Sequence, residues 1–177
     1  MALKPTIFKF SISLSDLNRE YYETLNLTVA QHPSETTERM VVRVLAFCLN
    51  AQEGLEFCKG ISDTEEPDLW KKSLVGDIDL WVEIGEPSSD RIKKASRQAK
   101  TVLVYSFNSK SSTWWQLEAP KLSTLSAQFF QFKWDQIEAL AALIERTVNA
   151  SVTISGDSIY VATEKGEQEV NLSELVR

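Results

Sequence analysis

The chain has 177 residues and a formal net charge of −6, with 43% hydrophobic and 25% charged residues. This composition excludes a collagen-like chain, a disordered tail and a disulfide scaffold, and the negative charge excludes a protein that coats nucleic acid through overall basicity. The length, together with only 6 glycines and 5 prolines, predicts a single domain over residues 1–177.

The sequence carries no signal that directs it to a membrane or an oxidising compartment. The segment Met1-Ala2-Leu3-Lys4-Pro5 lacks the apolar core of a signal peptide, and no apolar run approaches the ~20 residues that span a bilayer. Cys48 and Cys58 are spaced for neither a redox pair nor a zinc site. We therefore expect a cytoplasmic protein without a membrane partner. No glycine-rich phosphate loop occurs either, so we expect no nucleotide cofactor.

Hydrophobic periodicity predicts the elements of the first half of the chain. Alternation indicates a strand at 6–14, which a second strand at Glu23–Ala30 accompanies. Ser34 is a candidate cap for a helix that runs from Glu35 to about Gln52. Two short strands are expected next, at Leu55–Ile61 and Asp68–Lys72.

The clearest strand of the chain is Ile78–Ile84, whose odd positions place Asp79, Trp81 and Glu83 on one face. A helix capped by Ser88 or Ser89 follows to about Lys100, and the apolar strand Thr101–Phe107 completes a β-α-β crossover. The remaining pattern predicts, in order, a short helix near Trp114, a strand at Ser126–Phe132, a helix at Trp134–Val148, and a hairpin with turns at Asp157 and Gly166.

Charge is distributed unevenly along the chain. The segment from Asp63 to Glu86 contains eight acidic residues and only two lysines, whereas the following helix contributes basic residues at 91, 93, 94, 97 and 100. A Mg²⁺-dependent phosphodiester site needs carboxylates for the cation and basic groups for the phosphate. Ordinary solvated faces produce the same pattern. Asp79 also fits a strand-end salt bridge, and Glu38 fits the N-terminal dipole of the first helix.

Three segments of the sequence resemble the signature blocks of the bacterial YaeQ family: His32-Pro33-Ser34-Glu35-x-x-Glu38-Arg39-Met40, Ile78-Asp79-Leu80-Trp81-x-Glu83-x-Gly85, and Arg91-Ile92-Lys93-Lys94-Ala95. The resemblance continues in order to Val170-Asn171-Leu172 and covers essentially the whole chain. It implies an α/β fold with the PD-(D/E)XK restriction-endonuclease-like core, α-β-β-β-α-β. Extra N-terminal strands and a C-terminal helix plus β-hairpin would surround that core.

The same resemblance implies a set of site residues. Pro67-Asp68 corresponds to the Pro-Asp element of the nuclease motif, with Asp79 as an alternative first acid. Glu83 corresponds to the acid of the Glu-x-Lys element, and Glu38 to the acid of the first helix. The implied ligands of Mg²⁺ or Mn²⁺ are therefore Glu38, Asp68, Asp79 and Glu83.

Gly85 stands where the motif lysine is expected, and glycine cannot activate water or stabilise charge. Lys93 or Lys94 on the next helix is the candidate replacement, so that the catalytic residues would be Glu83, Lys93 and Asp79. Whether either lysine reaches the site depends on the rotation of the helix.

Two functions follow from these residues. The first, favoured by the acidic cluster, is a metal-dependent nuclease-like protein with a degenerate site that acts on nucleic acid. The second, favoured by Gly85, is a non-catalytic adaptor for nucleic acid or a protein, with transcription as one setting. In the adaptor the carboxylates would pair with Arg39, Arg43 or Lys93. The expected nucleic-acid-binding residues are Arg39, Arg91, Lys94 and Arg97.

Overall fold

A computed structural model describes residues 4–176 and shows a mixed α/β protein. Its strands and helices are, in chain order, β1 Thr6–Asp16, β2 Tyr21–Gln31, α1 Thr37–Asn50, β3 Leu55–Phe57, a 3₁₀ turn at Gly60–Ser62, β4 Leu69–Lys72, β5 Ile78–Ile84, α2 Ser89–Gln98, β6 Ala99–Ser106, α3 Ser111–Leu122, β7 Gln128–Phe132, α4 Trp134–Ala141, β8 Thr147–Ser155, β9 Ser158–Thr163 and β10 Gly166–Leu175.

The chain forms two units, and unit 1 combines the residues up to Leu49 with Lys133–Leu172. Its strands follow the order β2-β1-β8-β9-β10, in which β1 is antiparallel to β2 and parallel to β8. The predicted alternation of the first strand is confirmed, because Phe8, Phe10, Ile12 and Leu14 are buried while the residues between them are more exposed. The apolar helix α1 is buried from Met40 to Cys48.

A buried ion pair supports the start of α1. Arg43 donates to both carboxylate oxygens of Glu35, from Nη2 to Oε1 at 2.5 Å and from Nε to Oε2 at 2.9 Å. Arg39 donates to Glu35 Oε2 at 2.8 Å. Since each of these arginines already contacts Glu35, the structure assigns them a carboxylate partner within their own unit.

The capping prediction for α1 is wrong by two residues. The helix begins at Thr37, and the hydroxyl of Thr36 accepts a hydrogen bond from the backbone N–H of Arg39. Ser34 instead lies in the preceding turn, where its N–H donates to His32 Nδ1. A hydroxyl two residues nearer the helix meets the unpaired amides of the first turn.

Unit 2 comprises Asn50–Phe132 and the residues from Ser173 onward. Its strand order is β7-β6-β5-β4-β3, with β3, β4 and β5 antiparallel in succession and β5, β6 and β7 parallel. The predicted β-α-β crossover is therefore confirmed, with Ser88 as the cap of α2. The core under α2 contains Trp81, Ile92, Ala95, Val102, Val104, Leu122 and Phe129.

The C-terminal prediction needs a correction. The helix predicted to reach Val148 ends at Ala141, and Thr147 already begins β8. Ile144 and Val148 continue the helical spacing, but Val148, Val152 and Ile154 also alternate along a strand, and this second period decides the structure. Three strands, β8 to β10, occupy the place of the expected hairpin, with turns at the predicted Asp157 and Gly166.

The order α1-β3-β4-β5-α2-β6 along the chain agrees with the order that the family resemblance implies. Within residues 4–176, no helix is both long enough and apolar enough to cross a membrane. The single domain expected for residues 1–177 stays a prediction.

Candidate functional site: a buried carboxylate–arginine cluster

Asp68 and Glu83 are brought together by the pairing of β4 with β5. Leu69 lies opposite Val82, so the preceding Asp68 meets the following Glu83 at the end of this ladder. The backbone N–H of Asp68 donates to Val82 O at 3.0 Å, and its carboxylate Oδ2 accepts from the backbone N–H of Ile84 at 2.9 Å. Both carboxylates are buried, with 2% and 4% of each residue exposed.

Glu83 is held by two neighbouring side chains. Its Oε1 accepts a hydrogen bond from the indole Nε1 of Trp81 at 2.9 Å, on the same face of β5. The same oxygen contacts Arg91 on α2, with Nε at 3.0 Å and Nη2 at 2.8 Å. The negative charge on Glu83 is thus matched by a cation of the protein itself.

Arg91 also binds the loop that precedes β4. Its Nη1 donates to the carbonyl of Thr64 at 2.6 Å, and its Nη2 donates to the carbonyl of Glu66 at 3.0 Å. The guanidinium group of Arg91 therefore connects α2 to β5 and to the loop that precedes β4. Because all three of its nitrogens are engaged, Arg91 is a structural part of the site.

Burial determines the protonation behaviour of Glu83. Removal from water raises the pKa of the Glu83 carboxyl above its ordinary value, and the nearby charge on Asp68 raises it further. Hydrogen bonds from Arg91 and Trp81 act in the opposite direction, but burial is the larger effect. The register of β4 and β5, which places Asp68 opposite Glu83, accounts for this influence of Asp68.

Asp79, at the other end of β5, forms a separate group. Its Oδ1 lies 3.2 Å from Lys100 Nζ, and its Oδ2 lies 3.3 Å from Lys71 Nζ. The hydrogen bond from Lys100, followed by the bond from Lys71, holds the pKa of Asp79 below its ordinary value. Strand residues four apart are separated by ~13 Å, so Asp79 and Glu83 do not serve a common ion directly.

The other predicted site residues are distributed over two helices. Glu38 and Arg39 lie on α1 in unit 1, where Glu38 is half-buried. Lys93, Lys94 and Arg97 are exposed on α2, and Lys94 Nζ lies 2.9 Å from Glu65 Oε2. Among the predicted residues, those that the structure brings together are Asp68, Glu83 and Arg91.

Gly85 adopts a backbone conformation that favours glycine. Its φ is +113°, and its N–H donates to the carbonyl of Tyr105 at 2.8 Å. An added Cβ would meet no atom within 4 Å, so space does not select glycine here. The positive φ does, because side-chain-bearing residues rarely adopt it. A lysine at the motif position would strain this backbone.

The two buried acids of the cluster receive hydrogen bonds and positive charge from the protein itself. In the described part of the chain, no three His, Cys, Asp or Glu side chains are grouped to hold a metal ion. Glu83 Oε1 already accepts hydrogen bonds from Trp81 and Arg91, and Asp68 Oδ2 accepts one from a backbone amide. A guanidinium beside Glu83 supplies positive charge where a metal would otherwise supply it.

Sequence reasoning identified the two acids but not what binds them. Arg91 was expected as a nucleic-acid contact, whereas it donates to Glu83, and the core residue Trp81 donates to the same carboxylate. The backbone carbonyls of Thr64 and Glu66 also bind Arg91, and the side chains of these two residues give no indication of that contact. The shared face of Trp81 and Glu83 on β5 was the one available indication of their contact.

These observations define a mixed α/β protein with two adjacent buried carboxylates, one of which forms an ion pair with an arginine. The family model described as YaeQ protein matches residues 1–172, and the chain belongs to the YaeQ family. The resemblance found in the sequence is therefore confirmed.

Similar proteins cover nearly the full chain. The uncharacterized protein YaeQ of Escherichia coli (strain K12) is 38% identical over 177 residues, which cover 98% of this chain and 97% of that protein. A crystal structure of YaeQ protein from Pseudomonas syringae has a TM-score of 0.93 and 36% identity, and covers 98% of this chain and 97% of its own. The crystal structure of YaeQ protein from Xanthomonas axonopodis pv. citri has a TM-score of 0.92 and 34% identity, with 96% and 97% covered.

The raised pKa of Glu83 predicts a pH dependence of stability. Because the folded protein binds this proton more tightly than the unfolded chain, the stability of the wild type should fall relative to Glu83→Gln as the pH rises. The fall should begin at the ordinary pKa of glutamate and end above the raised pKa. Urea unfolding of both proteins across this range measures it. A difference in unfolding free energy that stays constant or increases with pH would contradict the assigned environment.

Proposed function

We propose that this chain is a non-catalytic nucleic-acid-binding protein of the cytoplasm, built on a core of the PD-(D/E)XK nuclease type. The order α1-β3-β4-β5-α2-β6 supports this core, as does the change from antiparallel β3-β4-β5 to parallel β5-β6. Asp68, directly before β4, also lies next to Glu83 on the adjacent strand β5, as the two acids of that motif would.

The contact of Arg91 with Glu83 carries the proposal that the site is non-catalytic. A nuclease site keeps its carboxylates open to a cation and a phosphate, whereas here a side chain of the protein neutralises Glu83 and holds the adjacent loop. The positive φ of Gly85 agrees with this assignment, because it disfavours the lysine that would assist water attack.

The exposed basic residues of α2 are the proposed binding surface. Ile92 and Ala95 pack into the core, so Lys93 and Arg97 face solvent. The bridge between Lys94 and Glu65 is exposed on both sides, and such pairs contribute little stability. Lys94 is therefore able to exchange Glu65 for a phosphate. This local patch reconciles a polyanionic partner with the net charge of −6.

Reversing the charge of this surface tests the proposal. The double variant Lys93→Glu/Arg97→Glu should lose affinity for DNA or RNA and reduce the slope of log affinity against log salt by about 1.4–1.8, because each phosphate contact contributes ~0.7–0.9. Fluorescence anisotropy with labelled duplex and single strands measures both quantities. The matched control, Lys9→Glu/Lys133→Glu, reverses two exposed lysines in unit 1. The proposal would be refuted if the wild type did not bind DNA or RNA at low salt, or if the test variant and the control variant lost the same amount of affinity.

A second candidate is a Mg²⁺- or Mn²⁺-dependent nuclease, and the proximity of Asp68 and Glu83 favours it. Two adjacent buried acids, one of which raises the pKa of the other, are typical of sites that receive a cation. For this candidate Arg91 would have to leave Glu83 when the cation binds. Asp79 would remain with Lys71 and Lys100.

Calorimetric titration of Mn²⁺ separates the two candidates without a substrate. We expect no saturable binding to the wild type, because Arg91 already supplies the positive charge at Glu83. The nuclease candidate requires saturable binding that Glu83→Gln abolishes. Asp79→Asn serves as the matched control, since it removes an acid of the same strand outside the cluster. Binding that only Glu83→Gln removes would replace the first proposal by the second.

A further inference from the structure

The strand β2 leaves an unusually open edge on the sheet of unit 1. Within residues 4–176, the strand that pairs with β2 is β1, in an unbroken register from Thr6 opposite Gln31 to Asp16 opposite Tyr21. Edge strands are ordinarily short, bulged or protected by charges and prolines. This one is 11 residues long, contains no proline and has a single charged residue, Glu23.

Two hydrogen bonds show which backbone groups face the open edge. The N–H of Thr24 donates to the exposed Glu23 Oε1 at 3.2 Å, so it points away from β1. The N–H of Lys9, which lies opposite Thr28, donates to Arg146 O rather than to β2. Antiparallel ladders alternate in this way, so the even positions of β2 direct their N–H and C=O groups outward.

The outward groups end at a defined point. The carbonyl of Ala30 accepts a hydrogen bond from Arg43 Nη2 at 3.0 Å, which occupies that end of the edge. The stretch that can receive another strand is therefore Tyr22–Thr28. Its even-numbered side chains are all exposed.

The sequence of this stretch is symmetric about its centre. Thr24-Leu25-Asn26-Leu27-Thr28 reads the same in both directions. When such a strand pairs with an antiparallel copy of itself about Asn26, each residue meets one of its own kind. Thr24 lies opposite Thr28, and Leu25 opposite Leu27. Such cross-strand pairs are favourable, and no like charges face each other.

We propose that a second copy of this chain pairs with the β2 edge, antiparallel and centred on Asn26. The outward positions 24, 26 and 28 then meet positions 28, 26 and 24 of the partner, and each opposed pair exchanges two N–H···O bonds. The arrangement is isologous and closes as a dimer. It is independent of the nucleic-acid surface on α2.

Charge at the symmetry axis tests this dimer. Asn26 is exposed, so Asn26→Lys leaves the fold of one copy intact but places two ammonium groups opposite each other. Sedimentation velocity should show a dimer for the wild type and a dissociation constant at least about tenfold higher for Asn26→Lys and for Asn26→Asp, because like charges opposed across an interface are costly. An equimolar mixture of the two variants should recover the dimer. The matched control, Ser151→Lys on β8, should leave dimerisation unchanged.

Cysteine cross-linking tests the register. Asn26→Cys should form a disulfide-linked dimer on mild oxidation, because the opposed Cα atoms would be ~5.5 Å apart. Thr28→Cys should not, since position 28 lies opposite position 24. The wild type, with Cys48 and Cys58, is the background. A monomeric wild type at every concentration, a dimer that survives Asn26→Lys, or equal cross-linking at positions 26 and 28 would each overturn the proposal.

Discussion

Burial of the Glu83 carboxylate constrains the arrangement of unit 2. A carboxylate with 4% of its residue exposed is costly unless hydrogen bonds and a cation compensate its lost hydration. Trp81 and Arg91 provide that compensation, and Arg91 also holds the carbonyls of Thr64 and Glu66. These contacts hold the first turn of α2 against β5 and against the loop that precedes β4. Because Ile92 and Ala95 then pack inward, Lys93 and Arg97 point into solvent.

The same interaction connects the structure to the proposed function. A cluster of two acids from adjacent strands is the arrangement that the PD-(D/E)XK resemblance implies, but its positive charge comes from Arg91. Gly85 has a φ of +113°, which is unfavourable for a lysine at the motif position. These two features support the proposal of a non-catalytic site. The exposed cations of α2 provide the surface on which a phosphate backbone could be held.

The parts of the fold that follow from periodicity were predictable from the sequence. The shared face of Trp81 and Glu83, the crossover β5-α2-β6 and the alternation of β1 are confirmed because short-range pattern determines them. The boundary between α4 and β8 was not predictable, since the positions of Ile144 and Val148 fit both the helical spacing and the alternation of a strand. The partner of Glu83 was not predictable either. Whether Arg91 or Lys93 faces β5 depends on how α2 rotates against the sheet, which tertiary packing decides.

A double-mutant cycle of Glu83→Gln and Arg91→Met tests most directly whether this ion pair organises the site. The two side chains are 6% and 29% exposed, so their interaction is only partly screened by water. Urea unfolding of the four proteins at neutral pH should give a coupling free energy of about 1–3 kcal/mol. A coupling below about 0.5 kcal/mol would show that the two residues act independently, and would contradict the account.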